Sequence, residues 1–201
     1  MTASVREKDL PPSSSLAAQT DIELMLAFQQ GNARAFEVLY RRHSNCLMTY
    51  LYRRTGDQPL SEEIFQETWL RISKASQSYQ PSAQFNTYLY CIARNVHLDF
   101  YRKYKPEAGQ ESLSDDHEEA MQVCAYEPTP ARSAELQQAS IQLLQCLGAL
   151  PEDQRDVFLL REESGFSMPE IADLVSLPLE TVKSRLRYAL NKLRQCLADY
   201  Y

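Results

Sequence analysis

The sequence predicts an all-α protein: two small helical domains joined by a flexible acidic linker. In segment after segment, apolar residues recur at the three-and-four spacing of a buried helical face. Only five glycines occur in 201 residues, and no alternating apolar-polar run is flanked by hairpin turns. Between the two helical halves lies PEAGQESLSDDHEEAMQVCAYEPTPARSAE, residues 106–135, rich in prolines, serines and carboxylates and without a sustained period. A chain of 201 residues accommodates two domains of roughly 80 to 100 residues, each large enough to bury a core.

Charge divides the chain in the same way. Residues 1–105 carry 13 basic and 10 acidic side chains, residues 106–135 carry 1 and 8, and residues 136–201 carry 7 and 9, for a net charge of −6. The first 20 residues, with Pro11, Pro12 and Ser13 to Ser15, show no helical pattern and are expected to be a disordered tail. The expected boundaries are therefore a tail over 1–20, a first domain over 21–105, the linker over 106–135 and a second domain over 136–201.

The tail lacks the apolar core of a signal peptide, and no segment offers the roughly 18 consecutive apolar residues of a membrane span. A cytoplasmic protein is expected. Cys46, Cys91, Cys124, Cys146 and Cys196 are odd in number and contain no Cys-x-x-Cys pair, which speaks against a disulfide framework and a structural zinc site.

Taken in chain order, Asp21 can cap a helix carrying Ile22, Met25, Leu26 and Phe28. Asn32 can begin the next, with Ala35, Phe36, Leu39 and Tyr40 facing inwards. A helix from about Ser61 to Lys74 buries Ile64, Phe65, Thr68, Trp69 and Ile72 and leaves Glu62, Glu63, Gln66 and Glu67 to solvent. After a polar loop over Tyr79 to Asn86, a helix from about Thr87 to Lys103 buries Leu89, Ile92, Ala93, Val96 and Phe100. It carries two further stripes: Tyr90, Arg94, His97 and Tyr101, and beside them Asn95, Asp99 and Arg102. Rings next to arginine and asparagine suit single-stranded DNA, because unstacked bases lie on rings while cations hold phosphates.

The segment from Met168 to Arg194 reads as two short helices meeting at a tight turn. Ile171, Leu174 and Val175 form the buried face of the first helix, and Pro178 blocks its continuation. Thr181 offers a side-chain oxygen near the first turn of the second, whose Val182, Leu186, Ala189, Leu190, Leu193 and Leu197 fall within an apolar arc of roughly 100°. Lys183, Arg187 and Arg194 flank that arc on one side and Arg185 and Lys192 on the other, with no acid between Thr181 and Arg194. A helix anchored along one stripe and basic along its flanks fits the major groove, where lysine and arginine neutralise phosphate and reach guanine edges.

EIADLVSLPLETVKSRLRYALNKLR resembles the region-four DNA-binding motif of the extracytoplasmic-function (ECF) group of bacterial sigma factors, in the sigma-70 family, and LPEDQRDVFLLREESGFS resembles the helices before it. AFQQGNARAFEVLYRRH, SEEIFQETWLRISKA and FNTYLYCIARNVHLDFYRK resemble, in the right order, successive parts of region two. The likeness covers nearly everything from Asp21 to Leu197 except the linker. Where the group usually has glycine in the turn and before the Thr-Val pair, this chain has Ser176 and Glu180; where tryptophan is common before Leu89, it has Tyr88.

The resemblance implies an alternative sigma factor that binds core RNA polymerase and directs promoter-specific initiation. Glu63, Gln66 and Glu67 would meet the clamp of the large subunit, and the flap would be a second polymerase contact. Tyr88, Arg94, Asn95, Asp99 and Arg102 would read and melt the minus-ten element. Thr181, Lys183, Ser184, Arg185, Arg187 and Lys192 would dock in the minus-thirty-five element. Promoter DNA is then the second partner and an anti-sigma factor a candidate third, and the linker would thread through the polymerase towards the RNA exit path.

Catalytic and metal readings find little support. His43 and Cys46 supply two ligands at most. Ser184, His97 and Asp99 form no nucleophilic set, and no glycine-rich phosphate loop is present. The chain is expected to be no enzyme and to take no cofactor, metal or small-molecule substrate. A stand-alone helix-turn-helix regulator and a helical sigma mimic are the competing readings.

Overall fold

Eight α-helices and no strand make up the described residues of the computed structural model, 16–104 and 130–198, with side chains described for 16–103 and 138–198. Residues 1–15 of the tail expected over 1–20 and most of the expected linker lie outside them, whereas Leu16 is buried in the core and the Ala17 and Gln19 carbonyls accept from Arg42.

The first half holds α1 (Asp21–Gln29), α2 (Ala33–Thr55), α3 (Gln58–Ala75), a 3₁₀ turn (Ser76–Ser78) and α4 (Phe85–Tyr104). The cap of α1 is Thr20 rather than Asp21. Its hydroxyl accepts from the Glu23 amide, and its own amide donates to the Glu23 carboxylate at 2.7 Å, a reciprocal capping box. Asp21 is freed for another task. It pairs with Arg42 and with His43 Nε2 at 2.8 Å, which ties α1 to α2. Asn32 stands at the start of α2 as expected, though its side chain makes no capping hydrogen bond, and α2 ends at Gly56, whose φ of 70° is a left-handed conformation that glycine adopts without steric cost. Asp57 then accepts from the Leu60 amide and starts α3. Leu24, Leu39, Leu51, Ile64, Ile72, Leu89 and Val96 close the core.

The second half comprises α5 (Pro130–Gly148), α6 (Glu152–Glu162), α7 (Met168–Val175) and α8 (Leu179–Ala198). Leu147, Val157, Leu159, Leu160, Ile171, Val182 and Ala189 are fully buried. Cys146 on α5 is disulfide-bonded to Cys196 on α8, with Cα atoms 5.8 Å apart. This corrects the expectation drawn from an odd, irregular cysteine count. Spacing along the chain reports nothing about two helices that pack together across 50 residues of sequence; Cys46 and Cys91 are exposed and not disulfide-bonded.

The two halves are packed against each other. Helices α2 and α4 face α5, α6 and α7, and the buried side chains of both halves join in one cluster. Tyr90 of α4 sits edge-on to Tyr50 of α2 at 4.9 Å and to Phe166, in the loop before α7, at 5.2 Å. No helix among the described residues is long and apolar enough to cross a membrane.

Candidate nucleic-acid interface

Local chemistry builds the helix-turn-helix. Ser167 caps α7, its amide donating to the Glu170 carboxylate at 2.8 Å, and a proline sits in the first turn, where a missing amide hydrogen costs nothing. At the other end Ser176 takes a left-handed conformation, φ 53° and ψ 48°, and the Leu177 amide closes back onto the Ala172 carbonyl. Pro178 starts the next helix with its carbonyl, which accepts from Thr181 and Val182. Helix α8 thus begins two residues before Thr181.

Val182, Ala189 and Leu193 fix α8 by one stripe. Lys183, Arg187, Lys192 and Arg194 stand exposed on its flanks. Arg187 lies 5.4 Å from the ring of Tyr188, an exposed aromatic that periodicity alone did not single out. Arg185 is different. It is held by Asp153 of α6 at 2.6 Å, and its side chain is 27% exposed. Thr181 and Ser184 are half-buried, and the Ser184 hydroxyl donates to the Thr181 carbonyl.

On α4 the structure separates the two stripes. Asn95, Asp99 and Arg102 are exposed. Tyr88 is half-buried, edge-on to Tyr79 at 5.3 Å, and burial pushes its phenol up. Of the stripe of Tyr90, Arg94, His97 and Tyr101, the first three are turned towards the second half and Tyr101 is exposed. Burial pushes the Tyr90 phenol up to about 12. Arg94 donates to Asp156 at 2.8 Å and to the Leu174 carbonyl at 2.7 Å, and its burial lowers its affinity for the proton. His97 Nδ1 accepts from Arg54 Nε at 3.3 Å, so the ring proton sits on Nε2. Burial first, then the charges of Arg54, Arg94 and Arg155, hold His97 at about 3, and Glu152 at 3.8 Å is too distant to reverse that. Arg94 is therefore not grouped with the other four expected minus-ten residues in this arrangement.

On α3, Glu63 and Gln66 are exposed and Glu67 is partly covered. Two neighbours escaped the sequence reading. Leu70 is 46% exposed beside Gln66, and its position outside the apolar arc of Ile64, Phe65, Trp69 and Ile72 was a usable signal. Arg71 bridges Glu67 and Asp99, at 2.8 Å to each, linking the α3 face to α4. Among the described residues, no group of three or more His, Cys, Asp and Glu side chains is placed to hold a metal ion.

A basic recognition helix in a helix-turn-helix, joined to a second helical module with its own polar face, defines a DNA-binding transcription protein of two modules. The comparisons agree with that architecture. Sigma-70 region 2 matches residues 39–107, and Sigma-70, region 4, matches residues 140–193. The ECF RNA polymerase sigma factor SigE of Mycolicibacterium smegmatis is 30% identical over 166 residues, covering 83% of this chain and 63% of that protein. The RNA polymerase sigma-H factor of Pseudomonas aeruginosa is 27% identical over 188 residues, covering 90% and 97%. The sigma factor RpoE of Bartonella quintana, solved in complex with the anti-sigma factor NepR, shares the fold with a TM-score of 0.64 at 23% identity, over 83% of this chain and 98% of that one. This chain belongs to the sigma-70 family.

Proposed function

We propose that this chain is an alternative sigma factor that binds core RNA polymerase and directs promoter-specific initiation. The observation that carries the reading is the joint exposure, on one chain, of the α3 face at Glu63 and Gln66 and of the basic α8 flanks behind a built helix-turn-helix. Carboxylates and an amide around the exposed Leu70 suit a basic partner surface with an apolar centre, as the clamp contact requires. Lys183, Arg187 and Lys192 suit phosphate and base-edge contacts in the minus-thirty-five element.

In this reading Asn95, Asp99 and Arg102 of α4, with Tyr88 at its start, meet the minus-ten strand. The boundaries at 21–105 and 136–201 divide the two tasks. The protein acts in the cytoplasm with the polymerase and carries no reaction of its own. An anti-sigma factor is a further candidate partner, since the structurally similar RpoE was captured with one.

Run-off transcription with purified core polymerase, on promoter fragments recovered with the protein from chromatin, tests this. Promoter-dependent transcripts are expected only when the chain is added. A stand-alone regulator would bind those fragments without polymerase, and a sigma mimic would bind its partner without giving transcripts.

A further inference from the structure

Helices α3 and α4 pack side by side, and one guanidinium spans them. Arg71 of α3 donates through Nε to Glu67, one turn earlier on its own helix, and through Nη1 to Oδ2 of Asp99 on α4, at 2.8 Å in each case. Glu67 belongs to the expected polymerase face and Asp99 to the expected minus-ten face, so Arg71 stands between the two. The pairs contribute little to stability, because the side chains of Arg71, Glu67 and Asp99 are 38%, 32% and 49% exposed and ion pairs in water are weak. What they fix is direction. A planar guanidinium with two nitrogens engaged holds both carboxylates in one orientation, which the point charge of a lysine does not.

Asp99 is otherwise out of place. It shares an exposed stripe with Asn95 and Arg102, four and three residues away, on a face that suits nucleic acid, and a free carboxylate there repels phosphates. Arg71 offsets that charge and occupies Oδ2. The other oxygen, Oδ1, has Arg102 at 4.0 Å, beyond hydrogen-bond reach. An ionised carboxylate oxygen only accepts hydrogen bonds. Cytosine and adenine each carry a donating exocyclic amine where thymine and guanine carry a carbonyl oxygen, so a carboxylate held in a fixed direction separates the first two bases from the others.

We propose that Arg71 is a positioning residue for promoter reading: braced by Glu67, it orients Asp99 so that Oδ1 accepts from the exocyclic amine of one unpaired adenine or cytosine in the minus-ten strand. The proposal rests on the sigma-factor reading for the strand that α4 meets. Asp99 is then a specificity-determining contact, and Arg102, with a side chain 77% exposed, is left for phosphate.

The test uses holoenzyme assembled from the full-length chain and core polymerase, with a fluorescein-labelled single-stranded oligonucleotide carrying the non-template minus-ten strand of a promoter that gives run-off transcripts. Each adenine is replaced in turn by purine and each cytosine by pyrimidin-2-one, which deletes the exocyclic amine alone, and anisotropy gives the ratio of affinities at each position. That ratio cancels any change in overall binding. For the wild type, one position should lose about tenfold on deletion of the amine. In Arg71→Lys and in Asp99→Ala the ratio at that position should fall towards one, while ratios elsewhere persist. Should Arg71→Lys lose helicity by circular dichroism, Arg71→Met, of similar length and without a donor, takes its place. A wild type indifferent to the amine at every position overturns the proposal, and so does a ratio that survives in either variant. If no promoter gives transcripts, the sigma reading fails and the proposal falls with it; transcripts together with an unmoved ratio sink the proposal alone.

Discussion

At the scale of single residues, chemistry of the same type acts differently according to what holds each side chain. Arg185 and Lys192 lie on one flank of α8, yet Arg185 is anchored by Asp153 while Lys192 stands in solvent. An arginine held in a fixed orientation can discriminate bases, whereas a mobile lysine acts as a point charge. Replacing Arg185 with alanine should cost about 1–3 kcal/mol and relax preference at one upstream base, whereas Lys192→Ala should weaken all sequences alike and flatten the salt dependence. Promoter binding across base substitutions and salt concentrations reads both effects, and equal, sequence-independent losses would reduce Arg185 to a phosphate contact. On α3, Glu63→Lys should weaken holoenzyme formation while shifting stability by only about 0.5 kcal/mol, as exposed substitutions do, whereas adding Glu67→Lys also breaks the pair with Arg71 and should cost further stability. Undiminished binding to core polymerase would move the interface elsewhere. The exposed members of each site were readable from periodicity, because the apolar arc of a helix leaves its complement to solvent. Arg94 was not, because the side chain that buries it lies 62 residues away in sequence.

At the scale of elements, most helix starts follow from local signals, and the exceptions are instructive. Thr20 rather than Asp21 caps α1, since a capping box needs Glu three residues on, and Glu23 stands at that distance from Thr20. The turn between α7 and α8 forms without glycine, with Ser176 in the left-handed region. A residue with a Cβ is disfavoured there by about 1–2 kcal/mol. Ser176→Gly should therefore stabilise the protein by about 1 kcal/mol in denaturant unfolding, and a loss of stability would show that the serine side chain makes a contact outweighing its strain. The disulfide between α5 and α8 was invisible for a different reason: the pairing depends on which helices touch.

At the scale of the whole molecule, the junction of the halves should respond to pH. His97 is buried against Arg54, Arg94 and Arg155, with Glu152 and Asp156 on the opposing element, and is held at about 3 instead of 6.5. Because the folded value lies below the unfolded one, the separated or unfolded chain binds more protons between these limits. Its contribution to stability is complete above about pH 6.5 and is lost as pH falls towards 3. The wild type should accordingly lose more thermal stability between pH 7 and 4.5 than His97→Gln, whose amide oxygen can still accept from Arg54. Parallel pH profiles for the two proteins would remove His97 from this role.

The sequence by itself determined the all-helical class, the two helical halves, the helix-turn-helix with its basic second helix and the exposed polar face of α3. Each of these follows from interactions between residues a few positions apart, and helical periodicity records them directly. Only the tertiary structure decided that Tyr90, Arg94 and His97 face the second half, that Asp156 gathers Tyr50, Arg54 and Arg94, and that Cys146 meets Cys196. The physical reason is that periodicity tells which stripe of a helix is apolar, whereas a polar stripe can meet water, nucleic acid or a complementary charge on another helix. Which of these it meets is set by packing between residues remote in sequence.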